Sequence, residues 1–217
     1  MLRLIVFDWD GTLADSTELI ATVLQRACSD VGHPVPELEA ARHVIGLGLS
    51  DALRHVAPAL DREQFPSLAA RYRYHYLARE AEIALFDGAR EMLHRLAGRD
   101  HLLGVATGKT RAGLDRALQQ HGLQDVFHAT RCADEDAPKP DPAMLLSLMR
   151  RLDVAPSDTV MVGDTTHDLE MAQRAGVRAI GVAHGAHARD KLAEVEPVAI
   201  VESLEELEDL LGALRDR

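Results

Sequence analysis

Leu2-Arg3-Leu4-Ile5-Val6-Phe7-Asp8-Trp9-Asp10-Gly11-Thr12-Leu13 is the stretch whose reading decides the fold. Residues 2–7 are mostly apolar, partly β-branched, and stop at an acid. Such a run predicts a short buried strand with Asp8 at its C-terminal end. Similar runs recur at 101–107, 159–164 and 178–183, with a weaker one at 198–201. Helical patterns fill the intervals at 88–96, 111–121, 141–152, 168–175 and 204–214. Gly122 and Gly176 stand as stops after two of them. Strands alternating with helices predict an α/β fold, a doubly wound, Rossmann-like parallel sheet. Asp8, Thr107 and Asp164 stand at the predicted carboxyl ends of strands, where such sheets bind ligands.

Residues 15–85 break this rhythm. Their patterns, at 16–31, about 36–45, 49–56 and 62–82, are all helical, and no strand is expected among them. The expected organisation is a core of residues 1–14 and 86–217 with an all-helical cap, 15–85, inserted after the first strand. Both ends of the insert fall near the site edge, which suits a lid. The acidic tail, 202–209, has leucines at helical spacing and reads as a surface helix.

The bulk numbers narrow the function. A chain of 217 residues suits one domain with an inserted lobe. The net charge of −11 repels nucleic acid and anionic lipid, and 4% aromatics leave few rings to stack on bases. Neither nucleic acid nor a membrane is therefore an expected partner, and both monomer and homodimer remain open. Any anionic substrate needs local positive charge. Cys28 and Cys132 make no disulfide framework and fit a reducing cytoplasm. No apolar run reaches the roughly 18 residues of a membrane span, and the N-terminal run is too short for a signal peptide.

Asp8 and Asp10 give the densest chemical signal. A carboxylate can attack phosphorus to form an acyl phosphate, and a second can protonate the leaving oxygen and then deprotonate water. Gly163-Asp164-Thr165-Thr166-His167-Asp168 also follows a strand. Its two acids, four apart, can share a magnesium ion, which prefers oxygen ligands; equally, Asp164 or Thr165 can cap a helix. His167 reads as an exposed neighbour. Lys139, set between Pro138 and Pro140, is either a rigidly presented ammonium for phosphate or a plain loop lysine. Thr107-Gly108-Lys109-Thr110 is a small anion cradle or a helix cap, and its spacing is not that of a Walker A loop.

In this order, the four pieces resemble the motifs of the haloacid dehalogenase superfamily. The resemblance covers nearly the whole chain, because the helical insert matches that family's cap between its first and second motifs. It implies that Asp8 is the nucleophile and Asp10 the general acid and base. Asp8, Asp164 and the Asp10 main-chain carbonyl would hold Mg2+, with Asp168 supporting. Thr107, Gly108 and Lys139 would bind phosphate. The acid at Asp10 argues for phosphate chemistry over dehalogenation. Asp15-Ser16 and the short helical cap resemble the phosphoglycolate phosphatase-like branch. The stretch 16–20 lacks the cap histidine of the sugar phosphomutases, which leaves a mutase as the alternative. The resemblance thus implies a phosphatase for a small phosphorylated metabolite, 2-phosphoglycolate first. A phospho-acceptor signalling module is the alternative from another class, but its acid lies mid-chain. Gly46, Leu47 and Gly48 are the expected cap loop at the substrate, with Arg42, His43 and Arg54 as candidates to read it.

Overall fold

The computed structural model describes residues 2–99 and 101–215. Six parallel strands form the main sheet: β1 (Leu4–Phe7), β4 (Leu102–Thr107), β5 (Ala129–Cys132), β6 (Thr159–Gly163), β7 (Arg178–Val182) and β8 (Ala199–Val201). They lie in the order β5-β4-β1-β6-β7-β8. β1 is thus central, with Leu4 opposite Leu102 on one side and Thr159 on the other. Strand order reverses at β1, and the crevice at that switch point is where such sheets bind ligands.

The apolar run in β1 has a simple cause. Ile5 and Phe7 enter the core on one face of the sheet, with Leu93 and Leu96 of α5 (Ala89–Ala97) and Leu207 of α10 (Leu204–Arg215). Leu4 and Val6 enter the core on the other face, with Leu145 and Leu148 of α7 (Ala143–Leu152) and Leu169 of α8 (Thr166–Arg174). A strand buried on both faces has no polar side to show, so it reads as a continuous run.

Four helices follow the first strand: α1 (Thr17–Asp30), α2 (Leu38–His43), α3 (Leu49–Val56) and α4 (Phe65–Leu77). They are flanked by an unexpected ribbon, in which β2 (Ala14–Asp15) pairs antiparallel with β3 (Ala84–Leu85). The helix expected over 62–82 ends at Leu77, and a single 3-10 turn covers Glu80–Glu82. Two further elements were not expected: the edge strand β5 and the five-residue α9 (Arg189–Ala193). β5 carries Thr130 and Arg131 half-buried between buried ends, so it shows no apolar run. α6 (Arg111–His121) starts and stops as the sequence predicts, with Gly122 left-handed at its end. No helix among the described residues is long and apolar enough to cross a membrane.

Trp9, between the two lead acids, is buried in the core rather than set in solvent. Its carbonyl accepts the N–H groups of Leu13 (3.0 Å) and Ala14 (2.9 Å), which closes the turn after β1. Trp9→Ala should therefore cost about 3–5 kcal/mol of stability, as for other large-to-small aromatic truncations. Chemical denaturation measures it; a loss below about 1 kcal/mol would contradict this role for the indole.

Candidate active site

β1 delivers Asp8 to the crevice, its N–H still donating to the Val162 carbonyl of β6 at 2.9 Å. Asp8 and Asp10 both line a cavity of about 250 Å³ between the sheet edge and the helical insert. Gly108, Lys109 and Thr110, which follow β4, complete its floor. Asp164, at the end of β6, is fully buried, as are Asp168, Thr107 and Lys139.

The Lys139 ammonium is 2.7 Å from Asp8 Oδ1 and 2.6 Å from Asp168 Oδ1. An ammonium this close to two carboxylates pairs with both. The loop-lysine reading of Lys139 therefore fails. Asp8 Oδ2 is buried without a hydrogen-bond partner. Asp8, Asp164 and Asp168 each offer one carboxylate oxygen, all within 4.8 Å of one another. Burial raises Asp8 well above the ordinary carboxylate value; Lys139 opposes this, and Asp168 and Asp164 add to it. Burial, then Asp168, pushes Asp164 up to about 7, against hydrogen bonds from Ala186 and Thr12. Burial alone would lower Lys139, but Asp168 and Asp8 hold it above its ordinary value.

Specific donors fix these acids. The Thr12 hydroxyl donates to Asp164 Oδ1 at 2.8 Å, and the Ala186 N–H to Asp164 Oδ2 at 2.7 Å. Thr165 caps α8 as the sequence allows, and Asp168 closes the capping box through Oδ2. The cap and the charged cluster therefore coexist. Asp10 has its own partners: its Oδ1 accepts from the Ser16 hydroxyl at 2.7 Å and lies 3.1 Å from Lys109 Nζ. Lys109 also donates to the Tyr76 hydroxyl of α4 at 2.7 Å. Burial opposes its charge, but Asp10 and Tyr76 hold it above its ordinary value. Thr107 Oγ1 accepts the Lys109 N–H at 3.2 Å, and Thr110 caps α6.

Within the insert, Gly46 and Leu47 line the cavity, whereas Gly48 sits against Ala133 and Pro138. Arg42, His43 and Arg54 are not among its lining residues; Arg54 pairs outward with Asp51 at 3.2 Å. The backbones of insert and core touch at Gly108. A Cβ there would lie 2.5 Å from the Leu47 carbonyl oxygen and 2.7 Å from that of Gly46. His167 is half-buried, not an exposed neighbour. Its Nε2 donates to the His43 carbonyl at 2.8 Å, and His187 Nε2 donates to the same oxygen at 3.1 Å. The His43 and His187 rings stack 5.0 Å apart, so the insert is tied to the core here.

Sequence reasoning quoted Lys109 in the anion cradle and Ser16 in the branch resemblance without giving either side chain a role, and it passed over Tyr76 and the 184–187 loop. His184-Gly185-Ala186-His187 after a strand was a usable signal, since a Cβ on Gly185 would collide with the Asp164 carboxylate. Ser16 and Tyr76 gave none, because their partners are set by the tertiary fold.

Comparisons agree with this geometry. The family model described as Haloacid dehalogenase-like hydrolase matches residues 5–182. A Dickeya dadantii (strain 3937) protein named "Probable phosphatase IndB" is 39% identical over 99% of this chain and 95% of its own. A phosphoglycolate phosphatase of Aliivibrio fischeri (strain ATCC 700601 / ES114) is 30% identical over 99% of this chain and 98% of its own. The crystal structure of a hydrolase from Pseudomonas syringae matches at a TM-score of 0.90 over 98% of this chain and 99% of that one. At 20% identity this last likeness concerns the fold alone. The chain belongs to the haloacid dehalogenase-like hydrolases and is a phosphatase of their phosphoglycolate phosphatase-like branch.

Proposed function

We propose that this phosphatase is magnesium-dependent and hydrolyses a small phosphate monoester through an aspartyl phosphate on Asp8. The observation that carries the reading is the state of Asp8. Its carboxylate lines the cavity, Lys139 lies against Oδ1, and Oδ2 is without a partner. That leaves one oxygen to attack phosphorus.

The donors fit magnesium. Three buried carboxylates converge, two of them on the Lys139 ammonium, and hard oxygen ligands are what magnesium takes. Asp8 and Asp164 would hold it with the Asp10 carbonyl, and Asp168 would support the site. When bound, the ion neutralises the crowded acids and the incoming phosphate. Asp8 attacks phosphorus, and Asp10 gives a proton to the leaving alkoxide. Asp10 then takes a proton from the water that cleaves the acyl phosphate. Ser16 and Lys109 hold the Asp10 carboxylate for both steps. Thr107, Gly108 and Lys139 serve the phosphate, and Gly46 and Leu47, with Gly48 behind them, the rest of the ester. The unit 15–85 acts as a lid hinged at the β2–β3 ribbon, closing to exclude water.

The substrate is a small phosphorylated metabolite. 2-Phosphoglycolate is the first ester to assay, because relatives carry that name. The same proposal places the protein in the cytoplasm, which keeps its two free buried thiols reduced.

Asp8→Asn should abolish any phosphoenzyme trapped by rapid acid quench. Asp10→Asn should keep the nucleophile and slow turnover by about 10²–10⁴. Near-native turnover of Asp8→Asn, with deamidation excluded by mass spectrometry, would remove Asp8 from the mechanism.

A second expectation concerns pH. Asp164 sits near 7 in the folded, metal-free protein against an ordinary 3.8, so folding retains a proton that the unfolded chain loses. The associated stability is present below about pH 4 and is lost as the pH rises through 7, on the order of a few kcal/mol. Melting in chelator should therefore fall from pH 5 to pH 8. Stabilisation by magnesium should grow over the same interval, because the ion replaces the proton. Equal magnesium shifts at both pH values would contradict the assignment.

A further inference from the structure

The cavity has a polar floor and a mostly apolar wall, with Arg73 at its exposed rim. Its acids and its loop amides belong to the core: Asp8, Asp10 and residues 108–110. The insert supplies Leu24, Val44, Ile45, Leu49, Tyr72 and Tyr76. The Tyr72 and Tyr76 rings stack with centroids 5.8 Å apart and planes 18° from parallel. A leaving group held behind the phosphate would lie against hydrocarbon and ring faces.

The cations that line the cavity are mostly engaged. Lys109 faces Asp10 and bonds Tyr76, and Arg116 pairs with Glu80 at 2.8 Å. Arg73 is exposed and marks the solvent side. A carboxylate two bonds from the phosphate ester oxygen would therefore be pressed between Asp10 and apolar side chains. Burying such a charge without its own partner is costly, whereas methylenes and rings gain by leaving water.

We infer that the preferred substrate is the phosphate monoester of an apolar alcohol carrying a hydrocarbon chain or an aromatic ring. This rests on the phosphatase reading above and narrows its substrate class. It also orders the esters: 2-phosphoglycolate is a poor member of the set, because its carboxylate would meet only Lys109, which already faces Asp10, and Arg73 at the exposed rim.

The test is kcat/KM in magnesium for ethyl, butyl, hexyl and benzyl phosphates beside 2-phosphoglycolate and glycerol 3-phosphate. The alkyl series should rise by about four-fold per methylene until the cavity is filled. Hexyl and benzyl phosphate should exceed 2-phosphoglycolate by roughly ten-fold or more. Leu49→Arg, at a half-buried wall position, should flatten the chain-length slope and raise 2-phosphoglycolate relative to hexyl phosphate. Hexanol should inhibit wild type competitively and glycolate should not, a readout that needs no variant. A flat series, or 2-phosphoglycolate ahead of both apolar esters, would overturn the inference and leave the phosphatase reading standing. Failure to hydrolyse any of the six esters in magnesium would defeat both.

Discussion

Three carboxylates buried around one ammonium set the terms for the rest of this molecule. Asp8, Asp164 and Asp168 converge within a few ångströms, and among the described residues Lys139 is the cation that pairs with two of them, Asp8 and Asp168. Buried charges persist when they are paired and hydrogen-bonded, and the surrounding structure supplies what pairing it can. Thr12 and Ala186 hold Asp164, while Thr165 holds Asp168 and is itself part of the cap of α8. The charge left over raises Asp8 and Asp164 above the ordinary carboxylate range. A site in this condition is prepared for a divalent cation.

The sheet brings these groups together from distant sequence. β1 carries Asp8, and its neighbours β4 and β6 end at Thr107 and just before Asp164. The acids therefore meet at the reversal of strand order rather than by any local fold. A second ion pair, Asp10 with Lys109, sits at the cavity and reaches the insert through Tyr76. The core thus provides charge and the insert provides shape. Lys139 and Lys109 each answer part of the acidic charge beside the cavity, Lys139 against Asp8 and Asp168 and Lys109 against Asp10.

The parts of this arrangement that are legible in sequence share one property: each leaves a local trace. β1 and β6 are buried on both faces, so their apolar runs are unmistakable, and the acids that end them stand out. β5 lies at the sheet edge with Thr130 and Arg131 half-buried, and a two-residue ribbon such as β2–β3 is too short to show a period. Lys139 was visible through its flanking prolines. The role of Lys109 was not, because only the tertiary fold reveals that Asp10 and Tyr76 meet it. His167 looked like a solvent-facing neighbour of the motif because nothing local announces that His43 and His187 come from elsewhere to cover it.

Calorimetric titration of magnesium into the metal-free protein, in buffers of different ionisation enthalpy, tests the central constraint most directly. Asp164, pushed up to about 7 by burial and Asp168, must release its proton when the cation enters. At pH 6.5, about one magnesium should bind per chain with measurable proton release, and Asp164→Asn should lose most of both. Magnesium binding without proton release, or undiminished binding to Asp164→Asn, would contradict the account.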